Sequence, residues 1–309
     1  MNRIYFITGS QDLYGEETLK QAAADSREMA AFLSSKLSDI AEVVFEPVVT
    51  TAAEAEDVCV KASSDKECIG VIMWMHTFSP AKMWIRALKA LRKPMLHLHT
   101  QFNEKLPYDT IDMDFMNLNQ SAHGDREFGF ICTRLGIKRE VVVGYYKHDD
   151  VIEKLRSFAH AAAAVNFGRT MKVAMLGNNM RDVAVTDGDR VESEIRYGWN
   201  VNYYGIGDIT DIIKDITEEE INAKLGEYNE KYTMATDNIA SVREQAKYEA
   251  ALEKFIAREN IGAFTDTFQD LHGLRQLPGI AAQNLMAKGI GFGPEGDYKT
   301  SALGAVLFK

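Results

Sequence analysis

Glu295 stands in Pro294-Glu295-Gly296-Asp297, a glycine-bracketed loop between a strand-like segment and a helical one. A carboxylate placed there can be a metal ligand, a general base, or no more than an exposed capping acid. His97 and His99 alternate with Leu96 and Leu98 and would share one face of a strand. They could form a metal pair, but no acidic ligand lies nearby in the sequence, so hydrogen-bonded core histidines are the expectation. Gly9-Ser10-Gln11-Asp12-Leu13-Tyr14-Gly15 joins small residues that permit close approach to Gln11 and Tyr14, which can hydrogen-bond hydroxyls. A well-capped turn has the same composition. His76-Thr77-Phe78-Ser79-Pro80 sets an aromatic between hydroxyl residues, which suits a sugar or a loop entering a helix.

Between Asp112 and Arg126 the chain carries Asn117, Asn119, Gln120, His123 and Asp125. That is too many uncharged hydrogen-bonding groups for a simple solvated helix; a polyol or an intersubunit network would use them. The second half adds Met180-Arg181-Asp182, Thr186-Asp187-Gly188-Asp189 and Phe268-Gln269-Asp270-Leu271-His272-Gly273.

Elements must hold these loops. Short apolar runs at 4–7, 43–49, 69–75, 95–98 and 140–146 alternate with helical patterns at 16–37, 52–62, 81–91 and 149–166. The runs are continuous, the mark of parallel strands covered on both faces. Strands alternating with helices imply right-handed βαβ units in a doubly wound sheet, whose ligands bind beyond the carboxyl ends of the strands. Phe167-Gly168-Arg169-Thr170 is the best boundary, and the pattern then restarts. Strands are expected at 171–176, 199–204 and 261–267, and helices at 218–232, 239–259 and 277–288. Residues 300–309 read as the first turns of an amphipathic helix with Leu303, Val306, Leu307 and Phe308 apolar and no stop signal. The expectation is two doubly wound, Rossmann-like α/β domains, 1–168 and 169–309, the second truncated at its end.

The 309 residues, 46% hydrophobic and 26% charged, exclude a disordered, collagen-like or coiled-coil chain. A net charge of −10 removes any global basic field for nucleic acid or an anionic membrane. Cys59, Cys68 and Cys132 form no C-x-x-C pair and read as buried, reduced thiols of a cytoplasmic protein. The most apolar stretch, 68–75, is far short of the roughly 20 residues a membrane span needs. There is no Walker P-loop, and the glycine cluster at 289–293 lacks the order of a dinucleotide fingerprint.

Together these loops resemble the L-arabinose isomerase family, over essentially the whole chain. The resemblance rests on Gly9-Ser10-Gln11 through Gly15, the run from His76 to Trp84, and His99-Thr100-Gln101-Phe102-Asn103. It also rests on Asp112 to Gln120, Ala122-His123-Gly124, Asn179-Met180-Arg181, Val183 to Asp189, Asp270 to Gly279 and Glu295-Gly296-Asp297. It implies a fucose/arabinose isomerase-like fold and interconversion of L-arabinose and L-ribulose in arabinose catabolism. It implies a divalent metal, usually Mn²⁺, which polarises the substrate oxygens while a carboxylate moves a proton between C1 and C2 through an enediol.

Residue by residue, the resemblance makes Glu295 the first of two metal-holding and catalytic glutamates. It places Gln11, Leu13, Tyr14, Phe78, Gln120 and His123 on one side of the pentose pocket, and Met180 and Phe268 on the other. It further implies a homo-oligomer, trimer or hexamer, with the site between subunits. The family's second glutamate and two metal histidines fall beyond the position where this sequence stops, and His97, His99 and His272 are not their counterparts. The expectation is therefore that the chain as given binds Mn²⁺ weakly and is inactive or very weak alone. Rival readings are a non-catalytic sugar-binding or regulatory protein on the same fold, and a partner that co-assembles with complete isomerase.

Overall fold

The structure, a computed structural model, describes residues 1–309 and divides into two compact units, Met1–Ala163 and Ala164–Lys309. No helix is long and apolar enough to cross a membrane.

The first unit is built on β1 (Arg3–Thr8), β2 (Glu42–Phe45), β3 (Cys68–Trp74), β4 (Met95–His99) and β5 (Glu140–Val143). All pair in parallel, in the order β2-β1-β3-β4-β5. The central strand β3 is buried at every position, which is why its sequence is an unbroken apolar run. Alternation along the strands divides the core into two layers. Ile4, Phe6, Ile72, Trp74, Leu96 and Leu98 face one way, against Met29 and Leu33 of α1 (Gly15–Lys36) and Val151, Leu155 and Ala159 of α6 (Asp149–Gly168). Tyr5, Ile7, Val71, Met73 and Met95 face the other. There they meet Ala55, Val58 and Cys59 of α2 (Ala52–Ser64), Trp84 and Leu88 of α3 (Trp84–Ala90), and Phe128 and Cys132 of α5 (Ser121–Arg134). Each such fully buried large side chain contributes about 1.5–3 kcal/mol. Helix α2 starts at a reciprocal cap between Thr51 and Glu54. The three cysteines are buried and free, and burial raises each thiol, Cys68 and Cys132 to about 11 and Cys59 to about 12.

The second unit repeats the scheme with β6 (Lys172–Leu176), β7 (Asn200–Tyr204), β8 (Ile261–Asp266) and β9 (Gly291–Phe292), parallel and in the order β7-β6-β8-β9. One face packs Leu176 and Phe264 against Ile209 of α8 (Gly207–Lys214), Tyr248 and Phe255 of α10 (Ile239–Glu259), and Leu285 of α11 (Gly279–Ala287). The other packs Val173, Met175 and Ala263 against Tyr298, Ala302 and Ala305 of α12 (Tyr298–Leu307). Helices α7 (Arg190–Tyr197) and α9 (Glu218–Lys231) complete the unit.

The polar stretch 112–126, for which the sequence named no element, is largely helical: α4 (Met113–Leu118) is capped by Asp112, whose carboxylate accepts from Phe115 N at 2.8 Å, and α5 follows. Other expectations change. The run 43–49 is a strand only to Phe45, after which Val49 alone bridges Gly9. Of the apolar residues foreseen on the last helix, Val306 alone packs against the core. Tyr298, Ser301, Ala302 and Ala305 are buried, whereas Leu303, Leu307 and Phe308 are exposed. Small residues are needed inward because β9 lies so close that a Cβ on Gly291 would fall 1.9 Å from the Ser301 carbonyl.

Candidate functional site

In each sheet the first strand sits between the second and third, so the strand order reverses beside it. Doubly wound sheets bind ligands at the carboxyl ends of the strands near such a reversal, which in the second unit falls between β6 and β8. Strand β8 delivers Asp266 and then Phe268 to this edge, while β9 leads into the loop that carries Glu295. The loop is tied down on both sides. Gly296 N donates to the Asp266 carbonyl at 3.0 Å, and Met180 N donates to the Glu295 carbonyl at 2.9 Å. Thr265 Oγ1 donates to the Gly293 carbonyl at 2.6 Å. Glu295 has φ +67°, a left-handed conformation that costs a non-glycine residue of order 1–3 kcal/mol. Gly296 follows at φ +81°, and a Cβ there would lie 2.1 Å from Asn179 Cα. Only glycine permits that approach, which is how Met180 comes to the edge of the Glu295 loop.

Asp266, Phe268, Leu277, Gln283, Met286 and Glu295 are among the residues lining a cavity of about 460 Å³. Phe268 is exposed and Glu295 is half-buried. Asp266 is 7% exposed, its Oδ2 has no hydrogen-bond partner, and burial alone pushes its carboxyl up to about 6. Of the site residues expected in this half, Phe268 and Glu295 share the cavity and Met180 adjoins through the backbone. Asp266 was missed; inside the run 261–267 it read as the end of a strand.

The two carboxylates offer oxygen donors of the kind a hard divalent cation prefers. The unpartnered, buried oxygen of Asp266 fits such a group: an ionised carboxylate without a partner is costly in a desolvated site and a cation offsets that cost. Together the pair could hold a cation against a polyhydroxylated ligand whose apolar face rests on Phe268.

The corresponding edge of the first unit gathers the other expected residues. Gln11, Leu13 and Tyr14 follow β1 around a 3₁₀ turn, with Leu13 83% exposed. This loop is fastened to the one after β3 by the Ser10 and Thr77 hydroxyls, 2.6 Å apart and buried. Phe78 stacks on His123 with ring centroids 4.4 Å apart, and Gln120 precedes α5 with its amide 3.4 Å from Asn117 Oδ1. A separate cavity of about 350 Å³, lined by His99, Gln101, Asn103, Glu104, Ser121, Asp125 and Tyr145 among others, includes none of these six residues.

The histidine pair needs one correction. His97 and His99 do share a strand face, but an acidic neighbour exists: α5 brings Asp125 to 2.8 Å from His97 Nε2, and His97 Nδ1 lies 3.0 Å from His99 Nε2. The three groups lie within 4.8 Å of one another. Desolvation lowers the His97 and His99 imidazoles and raises the Asp125 carboxyl. The favoured state is thus neutral, with the Asp125 carboxyl donating to His97 and His97 donating to His99. His97 is a hydrogen-bonded core histidine with a partner 28 residues away in the chain, whereas His99 is half-buried at the edge of the cavity of about 350 Å³, and the three side chains are spaced closely enough to hold a metal ion.

Fold and site together define a protein of two doubly wound α/β units, the second presenting a strained glutamate beside a buried aspartate at its strand ends. Comparison with known proteins narrows the class. Residues 1–170 match the model of the L-arabinose isomerase N-terminal domain, and residues 172–309 that of the L-arabinose isomerase central domain. The chain belongs to the L-arabinose isomerase family. It is 52% identical over 305 residues to the L-arabinose isomerase of Geobacillus thermodenitrificans, and 53% identical over 305 residues to that of Anoxybacillus flavithermus. The similarity to the enzyme of Shouchella clausii is 49% over 306 residues. These matches cover 97–99% of this chain and 61–63% of the relatives. The chain thus spans somewhat less than two thirds of the curated relatives' length.

Proposed function

We propose that the protein of which these residues form part interconverts L-arabinose and L-ribulose, an aldose-ketose isomerisation through an enediol. The observation that supports this most is Glu295: a carboxylate held at positive φ, on a loop anchored to the end of β8 and to the loop after β6, facing a cavity large enough for a pentose. Strain of that kind persists where the surroundings over-determine a conformation, and such places cluster at functional sites.

In this reading Glu295 moves the proton between C1 and C2 and also contributes an oxygen to a divalent cation, Mn²⁺ in the first instance. The cation, when bound, polarises the carbonyl and neighbouring hydroxyl of the sugar. Phe268 and Met180 orient the sugar on the side of the second unit. Gln11, Leu13, Tyr14, Phe78, Gln120 and His123 are proposed to complete the pocket in a homo-oligomer, where their exposed loop edge meets substrate. The proposal places the enzyme in the cytoplasm, in keeping with three buried, free thiols.

The 309 residues alone are proposed to turn over very slowly or not at all, since the Glu295 cavity offers carboxylates and no imidazole. The test is ketose formation from L-arabinose with Mn²⁺ by this chain and by a chimera carrying the remaining C-terminal part of the Geobacillus thermodenitrificans relative. Turnover in the chimera, lost on Glu295→Gln, is the expected result. A folded, metal-loaded chimera without turnover sinks the isomerase reading. Turnover by the 309 residues alone overturns the ligand assignment. Tight metal-free calorimetric binding of L-arabinose by an inactive chimera would favour a sugar-binding or regulatory role instead.

A further inference from the structure

The geometry points to Asp266 as a second cation-holding carboxylate of the Glu295 site. This inference deepens the functional reading above and rests on it. Three observations carry it. Asp266 ends β8 at the point where the strand order reverses, and it lines the same cavity as Glu295. Its carbonyl is hydrogen-bonded by Gly296 N, the residue next to Glu295, so the two acids are held in one backbone frame. Its side chain is more than nine-tenths buried, yet Oδ2 meets no donor.

A buried carboxylate normally has its lone pairs filled by backbone amides, by a hydroxyl or by a basic side chain. Even the less buried Asp270, four residues on, is served in this way: its Oδ2 accepts from Asn178 N at 3.0 Å and its Oδ1 lies 3.4 Å from Arg181 Nη1. Asp266 has no such arrangement at Oδ2. What completes it must come from the cavity side and must be positive or a donor. A divalent cation shared with Glu295 meets both requirements, because carboxylate oxygens are its preferred ligands. The site then presents two acids from two different segments, one at the end of β8 and one on the strained turn. Asp266 is a binding and positioning group here; proton transfer stays with Glu295.

The test is a Mn²⁺ titration of the 309-residue chain, followed by the electron paramagnetic resonance signal of the free aquo ion. Wild type, Asp266→Asn and Glu295→Gln are compared, with near-ultraviolet circular dichroism confirming that each is folded. The expected result is measurable binding to wild type, weakened about tenfold or more by either substitution. If Glu295→Gln weakens binding and Asp266→Asn does not, Asp266 is excluded while the Glu295 reading stands. If neither substitution changes binding, or wild type takes up no Mn²⁺ at millimolar concentration, the two-carboxylate site is wrong. Should Asp266→Asn disturb the fold, Asp266→Glu supplies the second arm: it restores a carboxylate and must bind more tightly than Asn at the same position.

Discussion

At Glu295 chemistry and conformation pull in opposite directions. The loop needs a left-handed residue to turn from β9 toward α12, and glycine would take that conformation without strain. A glutamate there keeps its carboxylate at a cost in stability. Glu295→Gly should therefore stabilise the chain, by about 0.5–1 kcal/mol, since the relieved strain exceeds the added entropy of the unfolded state. Urea unfolding reads this directly, and a loss of stability on Glu295→Gly would show that the turn is not strained in solution. Glu295→Gln keeps the strain and should unfold like wild type. Its neighbour behaves in the opposite sense. Gly296→Ala combines a positive φ with a Cβ overlapping the Asn179 backbone, so it should cost roughly 3 kcal/mol. The glycines around Glu295 marked its loop in the sequence but left a capping acid open, and it was the family resemblance that singled the residue out. Asp266 was not, since an acid that closes an apolar run looks like the end of a strand.

Among the elements, β4 and α5 are joined by the Asp125–His97–His99 chain, and its protonation sets a pH dependence. Burial raises Asp125, to about 8, and lowers both histidines, on which the positive charge of Arg139 acts in the same direction. Unfolded, the aspartate loses its proton near pH 4 and the histidines lose theirs near 6.5. Below about pH 6.5 the unfolded chain regains on its histidines what it lost from its aspartate, so the two effects oppose. Between about 6.5 and 8 only the folded state still holds a proton, on Asp125. Stability must then fall as pH rises, by up to about 1.4 kcal/mol per pH unit. Urea midpoints measured from pH 6.5 to 8 should decline, and Asp125→Asn, which keeps a donor to His97 Nε2, should flatten that decline. A wild-type midpoint that is constant over this range rules out the neutral pair. The strands of this unit were legible because parallel strands buried on both faces leave unbroken apolar runs. Helices α4 and α5 were obscured because their polar faces supply caps and loop contacts, and the Asp125 partnership because it spans 28 residues.

For the whole molecule, what matters is that the first compact unit draws its core from its own residues. The buried clusters of the first unit draw on residues between Ile4 and Ala163, from both faces of one five-stranded sheet. A domain of about 150 residues buries roughly 68–70% of the surface its unfolded chain exposes, enough for independent stability. Its strands are paired in parallel through helical crossovers within the unit, so no strand depends on a partner from the second unit. Residues 1–168, which retain all of α6, should therefore fold alone. The expected signature is one cooperative urea transition, near-ultraviolet circular dichroism from buried Trp74 and Trp84, and slow amide exchange along β3. A fragment with helical far-ultraviolet signal but no near-ultraviolet signal and no slow amides would be a molten state. That outcome would mean that the two layers around the first sheet do not suffice, and that the division into two units describes geometry without describing folding.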